Sequence, residues 1–408
     1  MSGLVLRSAR LADGRLVDVR CADGVIAAFE TFDAQRDTSL IAEPGDTVTD
    51  LGGWLLLPAP AEPHAHLDKA LSADRVPNPA GDLKGAIEAW ASYRPQLTFD
   101  DVVERAERAA RRLLANGCTA IRTHVDVADD VQVMCVAALA EVRTRLADVL
   151  DLQIVALLAP WADWALLREA VAAGADVVGG VPHLATDPVA MQTFCLELAG
   201  ELGLPVDLHT DEHLDPAGLD VRSLAAWVRR TGFGHGATAS HCVSLGVQLP
   251  DVQRAVAEEI AAAGVAVVTL PQTNLYLQGR DQPCGTPRGL TALAALHAAG
   301  AVVGAGADNL QDPFNLVGRA DPLETAALLV MAGHLLPDDA YALVSSGARR
   351  VMGLPAVGAT GAVAVGASAE LLALDATTVR AAVADAPRGR LVVHGGAIVA
   401  GRPPATKA

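Results

Sequence analysis

The chain has 408 residues, of which 51% are hydrophobic, 19% charged and 3% aromatic; it is too apolar for intrinsic disorder and long enough for one large α/β domain with a smaller companion. Its 31 Lys and Arg stand against 48 Asp and Glu, a formal charge of −17, so its surface repels phosphate backbones and anionic lipid, and neither nucleic acid nor membrane is expected as a partner. Six scattered cysteines without a C-x-x-C pair, an opening segment (MSGLVLRSARLADGR) without an apolar h-region, and a longest uncharged stretch (Met352 to Ala369) broken by Pro355 predict reduced thiols, a cytoplasmic location and no membrane span.

Residues 1–53 read as short alternating strands with tight turns at Asp13-Gly14 and Asp23-Gly24. From residue 54 to residue 355 the pattern changes, and β-branched, apolar runs alternate with longer segments of helical period. The runs are Trp54 to Pro63, Ala120 to Val127, Leu152 to Leu158, Ala175 to Val181, Pro205 to His209, Ala237 to His241, Ala266 to Leu270 and Val302 to Asp308. Among the helices between them, Asp100 to Ala115 has Thr98 or Asp100 as N-cap and Gly117 as its stop, Ala165 to Ala173 ends at Gly174, and Pro250 to Ala263 ends at Gly264. Eight βα units over roughly 300 residues predict a (β/α)8 barrel of the TIM type. Residues 356–408 return to the style of the first 53, with strands expected at Ala362 to Val365 and at Leu391 to Val393 before Gly395-Gly396. Neither terminus has much core of its own, so the two are expected to pair into one small β-sandwich beside the barrel; two unrelated extensions are the alternative.

Reactive groups in such barrels project from the C-terminal ends of strands. The first run ends in His64-Ala65-His66-Leu67-Asp68, and residues two apart in an extended segment point the same way. The fifth ends at His209, the sixth at His241 and the eighth at Asp308-Asn309. An H-x-H pair alone is weak evidence, but imidazoles and a carboxylate at four strand ends of one face suit a divalent ion of the zinc or ferrous kind with an open position. A bound ion lowers the pKa of its water toward 7, making hydroxide available to attack an electrophilic carbon. His241 and Asp308 would orient and deprotonate that water, and Glu212, three residues past His209, would carry the proton to a ring nitrogen or leaving amine. The bland reading of Glu212 is a first-turn acid complementing a helix dipole.

These residues resemble the amidohydrolase superfamily and, within it, the bacterial cytosine deaminase branch. The match runs along nearly the whole chain: EPHAHLDKA (Glu62 to Ala70), RTHVDV (Arg122 to Val127), DLQIVA (Asp151 to Ala156), GADVVGGVPH (Gly174 to His183), VDLHTDE (Val206 to Glu212), TASH (Thr238 to His241), LQGR (Leu277 to Arg280) and DNLQDPF (Asp308 to Phe314). The resemblance implies a barrel with a small β-sandwich and a mononuclear site in which His64, His66, His209 and Asp308 hold Fe2+ or Zn2+. It also implies that Glu212 shuttles the proton and that His241 hydrogen-bonds the attacking water. Relatives are often oligomeric, so a homo-oligomer is compatible with it. The fourth run ends Val181-Pro182-His183-Leu184, without the bridging lysine of binuclear relatives, so one ion is expected. Gln282-Pro283-Cys284-Gly285 does not supply the P-C-x-x-C of the other deaminase fold.

Two positions depart from the branch. Ala159 stands where its cytosine deaminases place a ring-contacting glutamine, and Asn309 where they have a second aspartate. Both changes act on how a pocket reads its ligand. Trp161 and Trp164 either cover a more apolar ring or pack their own loop. Gln278 is the replacement candidate for reading the ring edge; Asn309, His183 and Phe314 complete the expected substrate contacts. His124 and Asp126 either line the barrel mouth or form a core pair, and Asp312 is expected to fix the last loop. His213 is expected to face away from the ion, and His235, His297, His334 and His394 to be solvated or capping. The expected activity is hydrolytic deamination of an aminated nitrogen heterocycle (cytosine or a related pyrimidine, purine or triazine) with release of ammonia. The alternatives are hydrolysis of a cyclic amide or N-alkylamino group at the same site, and a non-catalytic metal-binding scaffold.

Overall fold

The computed structural model describes residues 3–36, 39, 41–355 and 363–404. In chain order its strands are β1 (Leu4–Arg10), β2 (Leu16–Ala22), β3 (Val25–Thr31), β4 (Thr47–Asp50), β5 (Leu55–Pro58), β6 (Ala61–Ala65), β7 (Ala120–Val127), β8 (Asp151–Leu158), β9 (Val177–Gly180), β10 (Val206–Thr210), β11 (Ala237–His241), β12 (Ala266–Thr269), β13 (Val303–Ala305), β14 (Leu371–Leu374), β15 (Arg390–His394) and β16 (Ala397–Gly401). Strands β6 to β13 form one parallel sheet in sequential order, each step crossing through helical chain. A parallel bridge between Ala65 and Asp308 joins its two ends, completing the TIM-type barrel.

The run Trp54 to Pro63 was expected as one barrel strand, but it divides. The β5 ladder runs to Pro58, paired with Leu371, and Pro60 beyond it lacks a backbone donor; β5 thus joins the terminal sheet and β6 opens the barrel. The terminal strands make one mixed sheet, ordered β16-β15-β14-β5-β1-β2-β3, with β4 on β1. Its two wings fold together: Leu4, Leu6 and Val19 share a core with Leu371, Ala373, Leu391 and Val393. Because side chains alternate along a strand, Leu372 and Leu374 of β14 point the other way, into the core of the barrel. The expected strand at Ala362 to Val365 begins outside the described residues; 363–365 form no strand, and Ser368 instead bridges to Val25. His394, expected to be solvated or capping, is half-buried and pairs with Glu370 at 3.0 Å.

Two helices bear on the site. The first, α1 (Leu83–Tyr93), starts at Asp82, whose carboxylate accepts from the Gly85 amide. The second, α2 (Phe99–Ala115), is capped by Thr98 accepting from the Asp101 amide, carries Asp100 and Asp101 in its first turn and Arg112 in its last, and buries Val102, Ala106, Ala109 and Leu113 at helical spacing against the barrel. Beyond it Gly117 turns with φ +112, and a Cβ there would stand 2.7 Å from Leu372, so glycine lets the helix end against the terminal sheet. Among the described residues no helix is long and apolar enough to cross a membrane.

Candidate active site

His64 lies on β6 where the pairing with β7 shifts register between Glu62 and Ala65. Such a shift frees backbone groups and re-aims a side chain. The freed His64 amide is taken up by the buried Glu62 carboxylate at 3.1 Å, whose other oxygen accepts from Ala307 at 2.9 Å, tying the first barrel strand to the last. Burial pushes the Glu62 carboxyl up to about 8.

Strand ends then bring the four expected ligands together. His66 Nε2 is 3.3 Å from Asp308 Oδ1 and 3.3 Å from His209 Nε2, and His64 Nε2 is 3.7 Å from Asp308 Oδ1. With bonds of about 2.1 Å, ligand atoms around one tetrahedral ion lie about 3–4 Å apart, so the set has the spacing of a single divalent ion. The donors are also otherwise unused: His64 Nε2 and both Asp308 oxygens are buried without a hydrogen-bond partner. Burial holds the three imidazoles in their neutral, ligating form. Burial, then the neighbouring Glu212, Asp312 and Glu62, pushes the Asp308 carboxyl well above its usual range; a bound cation would supply the missing counter-charge.

His241 ends β11 beside this cluster. Its Nδ1 lies 3.1 Å from Asn274 Oδ1 and, as the donor of that bond, leaves Nε2 as an acceptor, 4.0 Å from Asp308 Oδ2. Asp211, His241 and Asp308 all adopt positive φ (53°, 72° and 67°), and such cost concentrated at strand ends is characteristic of working sites. Glu212 faces the cluster with Oε1 3.7 Å from His241 Nδ1, and burial raises its carboxyl to about 8.

Above the cluster opens a cavity with a segregated lining. Leu83, Ile87 and Ala91 of α1, Leu157, Ala159, Pro160, Trp161, Val181, Leu184 and Phe314 make an apolar wall; His66, His209, Glu212, His241, Asp308 and Asn309 face it with polar atoms. Trp161 and Phe314 therefore sit where the sequence suggested a substrate contact, whereas Trp164 packs on Phe194 of the helix Pro188–Leu202, away from the cavity lining. Asn309 borders the cavity with its amide nitrogen held by Asp312 at 2.8 Å, and Asp312 also accepts from the Phe314 and Asn315 amides, fixing the last loop. His183 stands behind the cavity, its Nδ1 3.1 Å from the His209 carbonyl and its Nε2 4.0 Å from Glu212. Gln278 does not line the cavity: its amide donates to the Glu212 carbonyl at 3.2 Å and so braces the backbone of Glu212.

A second polar cluster lies on the wall, where Asp126, expected at the barrel mouth or in a core pair with His124, lines the cavity with partners the sequence did not indicate. Lys69 reaches Asp126 at 2.6 Å and Asp68 at 3.3 Å, and Asp126 also accepts from Trp90 Nε1 at 2.8 Å, latching α1 across the mouth. Burial opposes the charge on Lys69, but Asp126 and Asp68 outweigh it and hold the ammonium ionised. The sequence signals for it were Asp126 on the second run and the Asp68-Lys69 pair shortly after H-x-H; nothing in the periodicity of α1 tells which strand end it covers. His124, the neighbour of Asp126 on β7, lies fully buried with its ring stacked on His64 at 3.7 Å.

A closed eightfold barrel that gathers three neutral imidazoles, a carboxylate and a protonatable glutamate at its C-terminal face defines a metal-dependent hydrolase. A family model described as "Amidohydrolase family" matches residues 78–400. The chain belongs to the amidohydrolase family and is a hydrolase acting on carbon–nitrogen bonds. It is 35% identical over 338 residues, 80% of this chain and 76% of the relative, to a pterin deaminase of Rhizobium rhizogenes (strain K84). Among solved structures it is similar to 5-methylcytosine deaminase from Klebsiella pneumoniae liganded with 5-fluorocytosine, with TM-score 0.87, 30% identity and 99% of each chain covered. It is also similar to N-isopropylammelide isopropylaminohydrolase from Burkholderia multivorans, with TM-score 0.83, 31% identity and 98% of each chain covered.

Proposed function

We propose that this chain removes an exocyclic amine from a nitrogen heterocycle of the pyrimidine, purine, pterin or triazine type, releasing ammonia. The observation that carries this reading is the placing of Glu212, a buried carboxyl that faces only the His183 and His241 imidazoles as ion-pair partners among the described residues, opposite the four expected ligand side chains. His64, His66, His209 and Asp308 would hold iron or zinc, and such an ion supplies Lewis acidity that brings a bound water toward neutral pKa. His241, with its Nδ1 proton committed to Asn274, offers Nε2 to a proton of the attacking water. Glu212 holds a proton within reach of the cavity and donates it to the ring nitrogen next to the amine-bearing carbon. Asp308, beside His241, receives the first proton given up by water and returns it to the amine; ammonia leaves as the remaining hydroxyl proton passes to the Glu212 carboxylate, which forms the carbonyl and restores the Glu212 carboxyl. The apolar wall excludes competing water and packs against the ring face.

The relatives' names support deamination of rings, and the N-isopropylammelide relative supports a second reading in which an N-alkylamine is the leaving group. The six free cysteines, five of them buried, favour a reducing cytoplasm. The test is ammonia release by the protein loaded separately with ferrous iron and zinc, across cytosine, isocytosine, 5-methylcytosine, isoguanine, creatinine, pterin and aminated triazines. Glu212→Gln should keep its metal and lose about 10²–10⁴-fold in kcat. Alkylamine release in place of ammonia would establish the second reading. Metal bound without turnover on any ring would overturn deamination of these classes.

A further inference from the structure

A buried chain of hydrogen bonds runs beneath the ligand cluster, crossing four barrel strands. Arg122 on β7 donates to Asp207 Oδ2 on β10 at 2.9 Å, Ser240 on β11 donates to Asp207 Oδ1 at 2.8 Å, and Ser240 Oγ lies 2.9 Å from His64 Nδ1 on β6. All four side chains are buried. The directions of these bonds follow from the chemistry of each group. A carboxylate paired with a guanidinium only accepts, so the single hydroxyl proton of Ser240 is spent on Asp207. The hydroxyl oxygen that remains can only accept, and the group facing it is His64 Nδ1. His64 must then carry its proton on Nδ1 and leave the Nε2 lone pair directed at Asp308 and the other ligands. The stacked His124 ring, 26° from parallel, blocks the ring from turning out of that orientation.

We propose that Ser240, oriented by the Arg122–Asp207 pair, is a positioning residue that selects the ligating tautomer of His64. The inference rests on the metal centre of the proposed function and concerns how that centre is preorganised. Second-sphere partners of metal-bound imidazoles act in this way, and losing one weakens metal binding by about 10–100-fold. Asp207 and Ser240 sit two residues and one residue before His209 and His241, so each of these strands supplies one inward group to the relay and another to the site.

The test needs no substrate. Zinc affinity of the full chain and of Ser240→Ala is measured by competition with a chromophoric chelator, and the histidine tautomers of metal-free wild type are read by long-range proton–nitrogen correlation on the nitrogen-15 histidine-labelled protein. The expected results are Nδ1–H at His64 in the metal-free wild type and an affinity lowered by about 10–100-fold in Ser240→Ala, with unchanged circular dichroism. An affinity within about threefold of wild type would overturn the proposal. If Ser240→Ala does not fold, the wild-type spectrum decides, and an Nε2–H tautomer at His64 would overturn it. A wild-type protein that takes up no divalent ion would remove the metal centre itself, an outcome distinct from equal affinities.

Discussion

The backbone amide of Asp308 donates to the carbonyl of His64 at 3.0 Å, and this bond both seams the barrel and sets two ligand side chains side by side. The seam is a main-chain bond, so a change confined to the Asp308 side chain leaves it in place.

Asp308→Asn should therefore separate folding from ion binding. Asparagine tolerates the positive φ of this position, and it removes a carboxyl that burial and three neighbouring acids disfavour. In metal-free buffer the variant should be at least as stable as wild type to urea. Elemental analysis after dialysis against zinc should show far less ion retained, and turnover should vanish.

Gly306→Ala should damage the seam instead. A Cβ at this position would stand 2.1 Å from Glu62 Oε1, the oxygen that takes up the His64 amide. Moving that carboxylate unpairs a buried donor, and the overpacking should cost roughly 1–3 kcal/mol. Thermal unfolding of metal-free protein measures the loss; a melting temperature equal to that of wild type would contradict it.

Specificity should respond at the apolar wall without a loss of metal. Trp161 is 56% exposed at the cavity rim, so Trp161→Ala should change stability by no more than about 0.5 kcal/mol while raising KM. Ala159→Gln introduces an amide into the cavity wall, and it should favour rings that present a hydrogen-bonding edge there. Ratios of kcat/KM between ring substrates with polar and alkyl substituents check both.

The terminal sheet should show a pH signature of its own. The hydrogen bond from His394 to Glu370 raises the histidine above its ordinary 6.5; burial acts to raise Glu370, but the bond and charge of His394 together with Arg349 and Thr119 outweigh it and leave the carboxyl below its ordinary 4.5. The histidine's contribution is complete below 6.5 and is lost as pH rises through its folded value; the carboxylate's is complete above 4.5 and is lost as pH falls through its own. The pair thus stabilises most between those two values. His394→Gln should cost more stability at about pH 5.5 than at about pH 8.5 in urea titrations.

The barrel was legible because its strands are short apolar runs at regular spacing, and the ligand set because each member stands at the end of such a run. The division at Ala59-Pro60 was less legible, since Leu55 to Pro58 and Ala61 to Ala65 read as one apolar stretch although they enter different sheets. Gln278 was placed on the ligand because it follows the seventh strand, yet one residue's position in a loop does not say which way its amide turns. The Lys69–Asp126 latch and the Ser240 relay were hidden for a related reason. Their partners are 57 and 176 residues apart in the chain, and no local pattern records a cross-barrel hydrogen bond.

The wall contributed by α1 belongs to none of the eight repeating units: it hangs between β6 and α2, latched to the barrel through Trp90. This part of the wall thus has an address in the chain separate from that of the atoms that would break a bond. Residues at Leu83, Ile87 and Ala91 can be exchanged as a set while the strand ends keep their spacing. Changes confined to this short segment would reshape one side of the cavity and leave the reacting groups where they stand.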